Sequence, residues 1–222
     1  MQYPIVRSIA LAAAVLLPAL AHADVYQVRI NTSIADVSAS SSLAGIMPTG
    51  SVAVLVFNVD SGNFSDSTVS PARGYVIDPS SVYMESNGTQ VHLTTPDPSY
   101  FGMRNNAPKA DSFFLGNSTS GSSGFAATVD GSTDAFTLTY GISWSDGLQI
   151  GSLDIADAVG VHTSTGLGSY QFDLMSRGSG VTFNPGRVMI TDITPVPEPA
   201  TYGMMALGLV ALVGVARRRR AD

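Results

Sequence analysis

Histidines, cysteines, paired carboxylates and oxygen-rich loops are where this 222-residue chain could do chemistry, and few are present. The absence of cysteine removes disulfides, thiolate metal sites and cysteine nucleophiles together. The histidines are His22, His92 and His162. A serine triad needs a histidine base steadied by a carboxylate, and neither His92 (QVHLT) nor His162 (VHT) stands in a recognisable motif. Both alternate with apolar neighbours, which places them on the solvent side of strands. No His-x-His or HExxH spacing offers a zinc site. Glycoside hydrolysis needs two carboxyl groups roughly 5 to 10 Å apart. Between Asp24 and Val196 the single glutamate is Glu85, and Asp154 and Asp157 would point to opposite sides of a continuing strand. The chain is therefore expected not to be an enzyme and to need no cofactor. Calcium is the best remaining ligand, because DSGNFSD gathers the oxygen donors Asp60, Asn63 and Asp66 in one short loop. The loop lacks EF-hand spacing and a closing glutamate, and an ordinary turn would use Asp and Asn to cap their own backbone. Tyr100, Phe101 and Trp144 could stack on sugar rings, although Trp144 ends an apolar strand and suits a core better.

The elements that must position these residues read as strands. Tyr26, Val28 and Ile30 alternate with Gln27, Arg29 and Asn31, giving one apolar and one polar face. Residues 51–59 (SVAVLVFNV) are apolar on both faces and β-branched, as in a strand at the middle of a sheet. Further strands are expected over 74–77, 81–84, 90–94, 112–115, 125–129, 135–144, 148–155, 160–163, 169–175 and 187–193. Turn residues at short intervals separate them, Asn87-Gly88 and Asp146-Gly147 being the best two-residue hairpin turns. This punctuation predicts an all-β fold, an antiparallel β-sandwich of jelly-roll type. Residues 33–43 (SIADVSASSSL) are expected to form one helical turn or a loop. Residues 118–124 (STSGSSG) are expected to be an exposed loop rather than a joint between two halves of the sandwich. Residues 94–109, with Pro96, Pro98 and Pro108, read as a long irregular excursion of the kind that carries binding sites.

Both ends differ in kind from this middle. Arg7, an apolar core over residues 9–20 and the small residues of Ala21-His22-Ala23 make a signal peptide, to be cut by signal peptidase between Ala23 and Asp24. At the other end stand Pro197-Glu198-Pro199, an apolar run over 200–216 and the cluster Arg217, Arg218, Arg219, Arg220. As a helix the run reaches about 25 Å, slightly short of a hydrocarbon core of about 30 Å. The arginines resist translocation and would stay cytoplasmic, with everything before Pro197 outside. This three-part tail resembles the PEP-CTERM sorting signal of exported bacterial proteins. The resemblance implies recognition by a transpeptidase-like exosortase, a secreted or cell-surface destination after transient anchoring in the inner membrane, and association with exopolysaccharide. Such tails also carry an ice-binding label, and nothing in a sorting tail could bind ice.

The expected organisation is thus a signal peptide at 1–23, a β domain at 24–194 and a sorting tail at 195–222. The mean hydropathy of +0.22 is raised by the two ends. From Asp24 to Val196 six basic residues stand against fifteen acidic ones, a net of −9. An acidic domain with scattered cations argues against nucleic acid, and membrane contact is expected only through the C-terminal helix.

Overall fold

The computed structural model describes residues 25–105, 110–145, 147, 149–184 and 190–197. The expected signal-peptide helix, the C-terminal transmembrane helix, Ala21, Ala23, Asp24, Glu198, Pro199 and Arg217 to Arg220 lie outside the described residues. Among the described residues, no helix is long and apolar enough to cross a membrane.

Tyr26–Pro195 is one compact unit, all β and antiparallel. Its strands in chain order are β1 (Val25–Val37), β2 (Val52–Asp66), β3 (Ala72–Ile77), β4 (Tyr83–Ser86), β5 (Thr89–Thr94), β6 (Tyr100–Arg104) and β7 (Asp111–Gly116). There follow β8 (Phe125–Val129), β9 (Phe136–Trp144), β10 (Gly160–Thr163), β11 (Leu167–Ser176), β12 (Ser179–Asn184) and β13 (Ile190–Pro195). Period-two alternation explains the longest of them. Tyr26, Val28, Ile30, Thr32 and Ile34 of β1 are buried, as are Ala53, Leu55, Phe57 and Val59 of β2 and Phe136, Leu138, Tyr140, Ile142 and Trp144 of β9.

The strands form one continuous network in the order β10-β13-β1-β12-β11-β9-β7-β6-β3-β2-β4-β5-β8. β9 changes partner along its length, pairing β7 through Gly141–Trp144 and β8 through Phe136–Leu138. β2 does the same, pairing β4 through Ala53–Val56 and β3 from Val59 onward. The pairings of β9, β7, β6, β3, β2, β4, β5 and β8 therefore close into a ring. Closure satisfies ladder groups that an open edge would expose. Aromatic contacts run through the core, Phe57 to Phe101 to Phe113 to Trp144 on one side and Tyr140 to Phe172 to Phe183 on the other.

Several local expectations are corrected. Residues 33–37, expected as a helical turn or loop, continue β1 and pair with β12, because the serine-rich stretch that breaks the strand begins only after Val37. Residues 100–104, expected inside an irregular excursion, form β6 between β3 and β7, with Phe101 fully buried. The strand expected over 148–155 is absent from its described residues. That segment is irregular and ends in a 3-10 turn at Ile155–Ala158. Asp154 caps the turn by accepting from Ala156 N, and Asp157 accepts from Ser152 Oγ, so the two do not flank a strand. β12 has no counterpart among the expected strands. It forms a hairpin with β11 through a turn in which Arg177 and Gly178 both take positive φ. Asn87 and Gly88 also take positive φ and make the two-residue turn that their types predict.

Candidate functional site

A depression with a volume of about 580 Å³ crosses β6, β7, β9 and β11 on the side facing away from the main core. Strand register builds it. Arg104, Ser112, Ser143 and Ser169 stand side by side across the four strands, and Gly102, Phe114, Gly141 and Gln171 form the next row. Inward-facing neighbours Phe101, Met103, Phe113 and Ile142 belong to the core. Phe114 is nearly fully buried, yet it stands outside that core cluster and lies on the outer face. A Cβ on Gly102 would overlap its ring, so the ring takes the space over the glycine and forms part of the floor of the trough.

The loop over residues 117–124 makes one wall. Its composition predicts an exposed loop, and it is one, but it is tied down. Ser123 N donates to Leu115 O at 3.0 Å, Asn117 N to Ser123 Oγ at 2.7 Å, and Arg104 Nη2 to Ser120 O at 2.6 Å. The Arg104 guanidinium also stands 6.0 Å from the centre of the Phe114 ring. No carboxylate lines the trough among the described residues.

The residues singled out for chemistry are dispersed. His92 is exposed and its Nε2 lies 2.9 Å from Asp130 Oδ1, with no serine or threonine hydroxyl bonded to the ring. His162, expected to face solvent, is instead buried. Its Nε2 bonds Ala158 O at 2.8 Å and its ring meets Phe113 edge-on at 4.9 Å. The alternation along β10 has the opposite phase to the one expected, so that Val161 and Thr163 are exposed and His162 is on the inward face. Trp144 is fully buried and donates to Thr163 O. Glu85 accepts from Tyr83 Oη on an exposed strand face.

The three calcium candidates fall in the β2–β3 hairpin. Asp60 Oδ1 accepts from Gly62 N at 2.8 Å, the self-capping of a turn, and the exposed Asn63 follows. Asp66 is held by both Nε and Nη2 of Arg73, at 2.6 and 3.1 Å. The hydrogen bond from Arg73 lowers the Asp66 carboxyl below its usual range, and the Arg73 guanidinium lies 3.8 Å over the Phe64 ring. Among the described residues no group of three or more His, Asp or Glu is placed to hold a metal ion.

Sequence reasoning missed Asp111. It is fully buried, and its Oδ2 accepts from Gln149 N at 2.7 Å and Ile150 N at 2.9 Å. Tyr75 completes the fastening of the same segment by donating to Leu153 O and accepting from Ile155 N. A lone aspartate at the start of an apolar strand was the only sequence signal of this role.

Pro197 is the last described residue of the sorting tail, two positions beyond the end of β13. Residues 195–220 match the PEP-CTERM protein-sorting motif. A PEP-CTERM tail marks an exported, cell-surface protein that is transiently anchored in the membrane and processed by exosortase. The match begins at the final residue of β13, so the β unit ends where the sorting tail starts. No curated protein and no solved structure is similar enough to the chain to give a match.

Proposed function

We propose that the chain is a non-enzymatic component of an extracellular matrix rich in exopolysaccharide, its β domain being the cargo that the PEP-CTERM tail delivers. The match of residues 195–220 to the sorting motif carries this reading. Signal peptidase would release the N terminus between Ala23 and Asp24. The apolar run over residues 200–216 would hold the precursor in the inner membrane, with Arg217 to Arg220 in the cytoplasm, until exosortase cuts near Pro197-Glu198-Pro199. The scatter of titratable groups supports a non-catalytic role. His162 is committed to Ala158 O and the aromatic core, the exposed His92 is paired with Asp130, and Glu85 has Tyr83 as its partner.

Mass spectrometry of the protein recovered from cell surface and matrix fractions tests both cuts. The expected form begins at Asp24 and ends near Pro197. A surface form intact through Arg220 would overturn the processing step, and recovery only from the cytoplasm would overturn export.

A further inference from the structure

We propose that the trough across β6, β7, β9 and β11 is a binding site for an uncharged oligosaccharide segment. The observation that carries this is a set of four uncommitted hydroxyls. Elsewhere many serines close turns, as Ser41, Ser81, Ser123 and Ser132 do. Ser112, Ser143 and Ser169, registered side by side across three strands, and Ser122 on the loop wall make no side-chain hydrogen bond to any described residue. All four line the same depression. Neighbouring strands are roughly 4.8 Å apart. The row from Arg104 to Ser169 therefore spans about three such spacings, long enough for a chain of sugar rings rather than a single small molecule.

The kind of ligand follows from what the trough offers. Along β6, β7 and β9 the floor is paired on both sides and has no free strand edge onto which a peptide could add, while β11, at the margin of the trough, meets β12 only from Asp173 onward among the described residues. What remains are hydroxyls that donate and accept above an apolar floor closed by the nearly buried Phe114, a mixture that a polyol with apolar ring faces satisfies, while the Gln171 amide is shared with Asp173, to whose Oδ2 its Nε2 donates at 3.2 Å. Charge argues against a polyanion. Arg104 is the single cation lining the trough among the described residues, its Nη2 is engaged by Ser120 O, and the domain around it carries a net of −9. With no carboxylate in the lining, a bound glycan would be held and not cleaved.

This assignment rests on the matrix reading above for the source of its glycan, and its test is separable from that reading. The probes are maltohexaose, cellohexaose and laminarihexaose, titrated calorimetrically into the full chain in a detergent without a sugar headgroup, with oligogalacturonate as the anionic control. At least one neutral oligosaccharide is expected to bind. Ser143→Ala combined with Ser169→Ala should weaken it by about tenfold or more through loss of two hydroxyls. Ser169→Tyr should abolish binding by filling the trough from an exposed position, while Thr128→Tyr, on the exposed face of β8, should bind as the native chain does. Melting curves of each variant confirm folding. Failure of all three neutral sugars, equal binding by Ser169→Tyr, or binding of oligogalacturonate alone would overturn the proposal. A flat titration alongside correct processing and matrix recovery would remove this site and leave the sorting function standing. Sugar binding by a chain never exported would do the reverse.

Discussion

Two buried polar side chains make connections that the backbone ladder does not supply, and each makes a measurable demand. Asp111 gathers the amides of Gln149 and Ile150 where regular pairing has ended. Asp111→Ala leaves those donors without this acceptor inside the protein and is expected to cost about 3 kcal/mol, whereas Asp111→Asn keeps one acceptor oxygen and should cost less. Urea denaturation orders the two variants, and an alanine variant as stable as the asparagine one would refute the role. Tyr140 is fully buried, and its hydroxyl meets Thr191 Oγ1 at 2.9 Å. Burial pushes its phenol well above the ordinary tyrosine value, so the folded state favours the protonated ring. The unfolded chain ionises near pH 10, and the folded protein does so only at higher pH. The stability tied to this group is therefore complete below about pH 10 and is lost as pH rises further. Tyr140→Phe should be less stable at neutral pH by about 1 to 2 kcal/mol. Its stability should also fall less steeply above pH 10, which denaturation at a series of pH values would read.

Elements were legible in the sequence wherever alternation and turn chemistry agreed, as in the first part of β1, in β5, β8 and β9 and at the Asn87-Gly88 turn. They were hidden where a strand has unusual composition or an unusual turn. β6 contains Gly102 in its middle and follows a proline-rich approach, so local propensity argued for a loop. The neighbouring β3 and β7 override it by pairing both edges. β12 is short and preceded by Arg177-Gly178, a turn pair that gives a weak signal in sequence. The trough was illegible for a related reason. Its serines are far apart in the chain and meet only through register, and the glycine that makes room for Phe114 looks like a strand breaker until the ring is seen above it. Gly102→Ala would drive a methyl group into that ring and should destabilise the protein by about 1 to 3 kcal/mol, the usual penalty of overpacking. Adding Phe114→Ala should relieve part of the cost. A double-mutant cycle measures the coupling, and strict additivity of the two substitutions would show that the ring does not rest on the glycine.

At the scale of the molecule, the placement of β13 ties folding to sorting. β13 is the last strand before the PEP-CTERM tail, and it lies between β1 and β10, with Tyr26 opposite Pro195 and Gly160 opposite Ile193. The N-terminal part of the first strand, Tyr26 to Asn31, thus meets β13 only when the last strand has emerged, a long-range closure that local structure cannot anticipate. A cut within the motif, beyond Pro195, leaves that pairing untouched, whereas loss of β13 strips a neighbour from both β1 and β10 and uncovers Ile30 and Tyr140. Two truncations separate these cases. A chain ending at Pro197 should melt in one cooperative transition at the temperature of the full chain. One ending at Asn184 should be degraded or recovered without a cooperative transition, since it also loses Thr191 and Ile193 from the buried set. Thermal melts followed by circular dichroism decide between them. A stable, cooperatively melting chain ending at Asn184 would show that β13 is dispensable and would remove the structural reason for placing the processing point just after it. The expected result instead makes the tail the first part of the chain that can be removed without touching the fold, which is what a detachable sorting signal requires.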